Sequence, residues 1–241
     1  MLSKNEVNFI KQLSHKKIRD ELNLFIAEGE KLILDLLQSP LTLHTLYLTS
    51  QNTHPILLIN SAAIIISPSY MAAISTLKTP ASCFAIFNKP PVTNFIATPN
   101  TWVLALDNIQ DPGNLGSIIR LADWFGIKNI ICNLQTVDAF NTKTIQASMG
   151  SIARVQVVYI NLQTWLQQHS KLPIYATSLQ GQTMLHKKFE PGIVVIGNEG
   201  NGISNNILNL ATQQIMLPCL GGAESLNAAV ATGMVLTKLI Y

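Results

Sequence analysis

The spacing of apolar and polar positions switches repeatedly between the helical and the extended period along most of the chain. Ser3 and Glu6 are spaced for a reciprocal helix cap, and Val7, Ile10 and Leu13 continue an apolar helical face behind them. Leu24 to Ala27 then reads as a strand, Glu28 to Leu37 as a helix, and Leu43 to Leu48 and Pro55 to Asn60 as strands. Ser67 to Thr76 reads as a helix with Pro68 at its first position, and Ser82 to Phe87 as a closing strand. Elements alternating in this way predict a small α/β layer domain over residues 1–88. Lys89-Pro90-Pro91 and Pro99 favour extended backbone, which marks residues 89–98 as a stiff linker.

Beyond the linker the alternation becomes regular. Strands are predicted over Trp102 to Asp107, Asn129 to Cys132, Gln156 to Ile160, Ile174 to Ser178, Gly192 to Ile196 and Gln214 to Leu217. Helices are predicted over Ser117 to Phe125, Thr142 to Met149 and Thr164 to His169. The strands are apolar without polar alternation, as in a parallel sheet covered on both faces, so residues 99–241 predict an α/β domain around such a sheet. Ligands of such sheets gather outside the carboxyl ends of the strands. Three loops follow strands there: Asp107 to Gly116, Gly197 to Gly202 and Pro218 to Asn227. Each alone is compatible with ordinary turn chemistry, and none has the glycine pattern of a dinucleotide fingerprint or a P-loop. Their shared placement joins them into one candidate site. Arg120, expected about one turn into its helix, can reach back toward the first loop.

The last stretch, Leu217 to Tyr241, opens with a turn at Pro218 and Gly221-Gly222 and continues into a helix carrying Ala228, Ala229, Ala231 and Gly233. So little side-chain bulk lets a backbone or a flat ligand approach closely. The alternative is a terminal helix packed through small residues, with Glu224 and Ser225 as caps.

Composition narrows the function classes. At 241 residues, 48% hydrophobic and 12% charged, the chain is expected to be ordered and globular. A net charge of +3 is mild, so nucleic-acid binding would need a local concentration of cations. Lys11, His15, Lys16, Lys17 and Arg19 supply one, either as a phosphate-contacting patch or as the basic end of a surface helix. Cys83, Cys132 and Cys219 lack metal-ligand or redox spacing, no segment reads as membrane-spanning, and the N-terminus lacks a signal-peptide core; together these fit a reducing cytoplasm. The histidines show no HExxH pairing, so no metal is expected.

Asn114-Leu115-Gly116 through Arg120, Ile196 to Gly200 with Gly202, and Leu217-Pro218 through Ser225-Leu226-Asn227 together resemble, in order and spacing, the three motifs of the SpoU branch of the SPOUT RNA methyltransferases, also called the TrmH family. More loosely, Arg19 and the segment Phe25 to Lys31 resemble the substrate-binding domain of many bacterial members, itself similar to a small ribosomal RNA-binding protein. The resemblance implies a C-terminal trefoil knot, against the general rule for chains. It also implies S-adenosylmethionine as methyl donor, a ribose 2′-hydroxyl of RNA as acceptor, and a homodimer. Carried over by motif, the backbone at Gly197, Leu217 and Leu226 holds the cofactor, while Asn114, Arg120, Glu199, Ser225 and Asn227 line the acceptor side. A guanidinium is almost never neutral, so Arg120 is expected to grip a phosphate and stabilise the developing alkoxide, the proton leaving through a phosphate oxygen or water. Asn114, Ser225 and Asn227 would orient the ribose and Arg120, and Glu199 would shape the site.

Large-subunit ribosomal RNA is the expected target, with Lys11, Lys16, Lys17 and Arg19 as its contacts; transfer RNA is the alternative substrate. An RNA-binding assembly factor without activity is the alternative class, disfavoured because the polar residues of all three motifs are present. A nicotinamide dehydrogenase would need a glycine fingerprint that is absent. With only three arginines, RNA contacts fall mainly to lysine and neutral polar groups.

Overall fold

The computed structural model describes residues 2–50, 63–93, 95–184 and 187–241; the strand expected over Pro55 to Asn60 lies outside them. The chain divides into two units, one of residues 1–91 with 138–153 and one of residues 92–137 with 154–241.

The first unit is built on helices α1 (Lys4–Gln12) and α2 (Lys16–Leu22), strand β1 (Leu24–Glu28), helix α3 (Glu30–Leu37), strands β2 (Leu43–Thr49) and β3 (Ala63–Ile66), helix α4 (Pro68–Ile74) and strand β4 (Cys83–Asn88). Its sheet has the order β1-β4-β2-β3. β4 runs antiparallel to both neighbours, while β2 and β3 are parallel. The expected cap starts α1: the Glu6 amide donates to Ser3 Oγ at 3.2 Å, and the Ser3 amide donates to Glu6 Oε2 at 2.7 Å. Every residue of β1 is buried, so both faces of the strand are covered. Leu24 and Ile26 join Ile10, Leu13, Met71 and Ile74 in one core. On the other side Phe25 packs on Phe87 and Phe140, with ring centroids 5.8 and 5.1 Å apart. Truncating such a buried aromatic to Ala costs about 3–5 kcal/mol.

Phe140 belongs to the segment that the sequence pattern assigns to the second domain. From residue 103 the chain forms strand β5 (Val103–Asp107), helix α5 (Pro112–Trp124), strand β6 (Asn129–Asn133), helix α6 (Thr142–Ser148), strand β7 (Gln156–Ile160), helix α7 (Leu162–Gln168), strands β8 (Ile174–Thr183) and β9 (Ile193–Gly197), helix α8 (Asn205–Leu208), strand β10 (Gln213–Met216) and helix α9 (Ala228–Ile240). α6 packs on β1 and groups with the first unit. Gly150, at φ +85°, has no room for a Cβ, which would lie 2.1 Å from the Asp35 carboxylate. Periodicity identifies a helix but not the sheet it covers, which is why residues 138–153 depart from the expected division. The expected linker departs too: Ala97 is buried in the second unit's core and Phe95 packs against it.

The second unit's sheet is wholly parallel, in the order β10-β8-β9-β5-β6-β7. α7 and α8 contribute Leu162, Trp165, Leu166 and Ile207 to a core with Val103, Ala105, Ile193 and Val195. α5 packs against β6, and α9 packs against α5 and β9. From β5 the chain proceeds outward to β6 and β7, whereas from β9 it proceeds the opposite way, to β10. The switch point is therefore between β5 and β9, where Asp107 pairs with Gly197.

Candidate active site

All three expected loops leave the carboxyl ends of strands in this one sheet, the first two at that switch point and the third from β10 at the sheet edge. α5 starts at Pro112, five residues before the expected Ser117, because Asp111 caps it: its Oδ1 accepts the Asn114 amide at 2.8 Å. Asn114 is thus in the first helical turn, and Arg120 lies about two turns in, not one. The second loop is closed by a bridge between Asn198 and Gly202, whose amides and carbonyls exchange bonds of 3.0 and 2.9 Å. Asn198 Oδ1 accepts the Gly200 and Asn201 amides at 2.9 and 3.0 Å, which forms the turn that carries half-buried Glu199 at its tip. The bridge leaves no space over Gly197, where a Cβ would sit 2.3 Å from the Gly202 carbonyl carbon. The third segment ends at Asn227, which caps α9 by accepting the Ala229 and Val230 amides at 3.0 and 3.3 Å. The cap is Asn227 itself, in place of Glu224 or Ser225.

A side-chain relay joins the three. Asn227 Nδ2 donates to Asn114 Oδ1 at 2.8 Å, and Asn114 Nδ2 donates to Glu199 Oε1 at 2.5 Å. Because Asn227 Oδ1 is committed to the helix, its amide orientation is fixed, and that in turn fixes Asn114. Each amide nitrogen keeps one N–H uncommitted. Ser225 and Leu226 are exposed just before Asn227, and Leu217 is half-buried just after β10. Arg120 is exposed and has no hydrogen-bond or ion-pair partner among the described residues. The structure therefore joins Asn114, Glu199 and Asn227 directly, and leaves Arg120 and Ser225 with their polar groups available.

The expected RNA contacts divide. Lys11 and Lys17 are exposed, and Lys16 pairs with Asp20 at 2.6 Å. Burial pushes the Asp20 carboxyl up, but the Lys16 and Lys89 ammonium groups outweigh it and hold the group below the usual carboxylate range. Arg19 is a correction. Only 2% of it is exposed, its guanidinium donates to the Leu13 and Ser14 carbonyls at 2.8 and 2.7 Å, and it pairs with Asp138 at 2.5 Å. It cannot offer its charge to a phosphate, because Asp138, distant in sequence, has folded back to claim it.

Four residues hold the second loop: sequence reasoning placed Asp107, Asn108 and Asn198 in the candidate loops without giving them a role, and it missed Ser204. The signal was a lone carboxylate ending the apolar strand Val103–Asp107. Burial pushes the Cys83 thiol up to about 12 and raises that of Cys132, so both are inert, whereas Cys219 is exposed in the third segment. Among the described residues no group of three or more His, Cys, Asp or Glu could hold a metal, and no helix is long and apolar enough to cross a membrane.

The SpoU rRNA methylase family matches residues 101–237, and the MRM3-like substrate binding domain matches residues 4–85. The chain is similar to the 23S rRNA (guanosine(2553)-2′-O)-methyltransferase RlmP of Bacillus subtilis, 32% identical over 234 residues that cover 95% of this chain and 93% of that one. A TrmH-family protein from Porphyromonas gingivalis superposes with TM-score 0.83 at 32% identity, over 99% of this chain and 98% of the other. An AdoMet-bound rRNA methyltransferase from Sinorhizobium meliloti does so with TM-score 0.85 at 29% identity, over 99% of this chain and 95% of the other. Fold and site thus define an α/β protein of two units, the larger with a polar site at the switch point of a parallel sheet. The chain belongs to the SpoU rRNA methylase family.

Proposed function

We propose that this protein transfers the methyl group of S-adenosylmethionine to a ribose 2′-hydroxyl of RNA, with 23S ribosomal RNA as the substrate. Family membership supports the reaction, the Sinorhizobium protein named as AdoMet-bound supports the donor, and the relative named for 23S rRNA supports the substrate. The observation that carries the reading is the Asn227–Asn114–Glu199 relay, which ties the three motif loops together at the switch point.

The donor fits the residues present. Between Leu217 and Leu226 the only internal bonds among the described residues run from the Cys219 thiol to the Gly221 and Ala223 carbonyls, at 3.3 and 3.6 Å. The backbone of that segment is otherwise open to a ligand, and Leu217, Leu226 and the end of β9 at Gly197 are the groups assigned to hold it. When bound, S-adenosylmethionine supplies an electrophilic methyl group on a cationic sulfur.

The chain's own residues then have separable tasks. Arg120 holds the phosphate next to the target and stabilises the negative charge growing on the 2′-oxygen, since its charge is permanent and uncommitted. The hydroxyl proton passes to a phosphate oxygen or water. Asn114, Asn227 and Ser225 orient the ribose through N–H and hydroxyl groups that internal bonds leave over. Glu199, engaged by Asn114, fixes that side chain and is not the base.

Three further readings belong to the proposal. The segment before α9 threads a loop to form a trefoil knot; in support, the chain leaves β10 at the sheet edge yet α9 returns to pack on α5 and β9. The enzyme is a homodimer through α5 and α9, supported by large apolar side chains left exposed there, with Trp124 at 81%, Val230 at 53% and Met234 at 49%. The first unit, similar to a ribosomal RNA-binding protein, contacts phosphates through Lys11, Lys16 and Lys17, and the protein works in the cytoplasm.

The experiment incubates the purified protein with labelled donor and RNA from a strain lacking it, then maps 2′-O-methylation. One methylated ribose in 23S rRNA is expected. Label in transfer RNA, or none with cofactor bound, overturns the reading.

A further inference from the structure

The carboxylate of Asp107 lies at the switch point yet is 1% exposed, too buried to meet RNA or donor. Its two oxygens reach in different directions. Oδ1 accepts Asn133 Nδ2 at 2.9 Å, at the end of β6, while Oδ2 accepts both the Ser204 amide at 2.8 Å and the Ser204 hydroxyl at 2.6 Å. Ser204 ends the return limb of the second loop. That limb lies directly on Gly197, where a Cβ would be 2.4 Å from the Ile203 nitrogen. The outgoing limb is held from the same strand end, since Asn198 Nδ2 donates to the carbonyl of Asn108, the residue after Asp107, at 2.9 Å.

On the reading that this site binds S-adenosylmethionine, we propose that Asp107, acting through Ser204, is a positioning residue for the donor: it fixes the height of the loop over Gly197 and so the backbone that the donor meets. Three features support the assignment. Three donors converge on one buried carboxylate, which is the arrangement that holds a loop against thermal motion. The clamp is placed on the loop's base and not on its tip, so Glu199 stays free to meet Asn114. And the acceptor side has its own support, because Asn227 is fixed by the α9 cap independently of Ser204. Loosening the clamp should therefore separate donor affinity from turnover.

The full-length protein is tested as Ser204→Ala, Ser204→Thr, Asp107→Asn and Asn133→Ala, measuring thermal stability, donor affinity by calorimetry, and KM for the donor against kcat. Ser204→Ala and Asp107→Asn should raise Kd and KM for the donor by about tenfold, the scale of one lost hydrogen bond to a buried charge, with kcat at saturation kept within about threefold. Ser204→Thr, which keeps amide and hydroxyl, should restore the wild-type KM. Asn133→Ala removes the other arm; it should lower stability while leaving donor KM within about twofold of wild type. Equal KM effects from Asn133→Ala and Ser204→Ala, or an unchanged KM in folded Ser204→Ala, would reduce Asp107 to a strut and overturn the inference. If Asp107→Asn does not fold, the alanine and threonine pair at Ser204 decides alone. Donor binding absent from the wild type defeats the functional reading itself, whereas wild-type binding indifferent to these variants defeats only the role of Asp107.

Discussion

Arg19 and Arg120 are both helical arginines, and both carry the resemblance to the same family, yet the fold treats them in opposite ways. In the first unit, the turn from Leu13 to Ser14 and the carboxylate of Asp138 enclose Arg19 and take three of its N–H groups. In the second, α5 presents Arg120 on its outer face, and no described residue competes for it. The difference teaches that a cation is available to a ligand when the fold withholds a partner from it. That is a property of tertiary neighbours, which sequence spacing does not contain.

The comparison predicts opposite phenotypes, and the larger effect belongs to the buried residue. Arg19→Ala strands the Asp138 carboxylate, 9% exposed, with most of its compensation gone. A stability loss of about 3–5 kcal/mol is expected in chemical denaturation. The salt dependence of RNA binding, measured on the folded fraction, should not change; a shallower slope would show that Arg19 reaches RNA after all. Arg120→Ala should behave conversely, with turnover down by about two to three orders of magnitude. Its denaturation midpoint should match the wild type, and donor affinity should survive. Arg120→Lys should recover only part of the rate, because an ammonium lacks the planar fork that addresses two oxygens. If the lysine variant's rate rises with pH along the titration of its amine, position 120 is a base and the electrostatic role fails.

What could be read in the sequence follows the same line. Strands of the parallel sheet announce themselves because burial on both faces forces continuous apolar runs, and β5, β6 and β9 fall within a residue of expectation. The motif loops were legible for a related reason: glycines at Gly197 and Gly202 answer to local backbone constraints, one a close approach and the other a φ of +66°. Long-range polar pairing left no such trace. Asp138 lies 119 residues from Arg19, and Ser204 lies 97 from Asp107. β8 ran on to Thr183 for another nonlocal reason, since its far end pairs with β10 where Gly181 lets the Ile215 backbone approach.

Asn227 carries both kinds of role at once, and a substitution can separate them. Asn227→Ala removes the α9 cap and the donor to Asn114 together, so a stability loss of about 1 kcal/mol and a fall in turnover should appear in the same variant. Asn227→Asp keeps a good cap but has no N–H to give. Asn114 would then face two carboxylates, those of positions 227 and 199, with one amide nitrogen between them. Thermal stability close to wild type with turnover reduced is expected; full activity in this variant would remove the relay from the mechanism.

The smallest effect compares two adjacent lysines at the start of α2. Lys16 shares the Asp20 carboxylate with Lys89, at 2.6 and 2.5 Å, whereas Lys17 is exposed with no ion-pair partner among the described residues. A cation that already neutralises a carboxylate neutralises less phosphate charge, so removing it should change the release of cations condensed on RNA by less. Each true phosphate contact removed lowers the slope of log K against log salt by about 0.7–0.9. Lys17→Ala should show a change of that size, and Lys16→Ala a smaller one, since Asp20 keeps Lys89 when Lys16 is gone. The pH sense is fixed by Asp20, whose depressed carboxyl pKa means that its pairing holds at neutral pH and is lost as pH falls through the folded value. The Lys16 and Lys17 variants should therefore differ at neutral pH. Equal slope changes for both would show that RNA displaces the Asp20 pairing on binding, and no change for either would make this end of α2 a solvated surface.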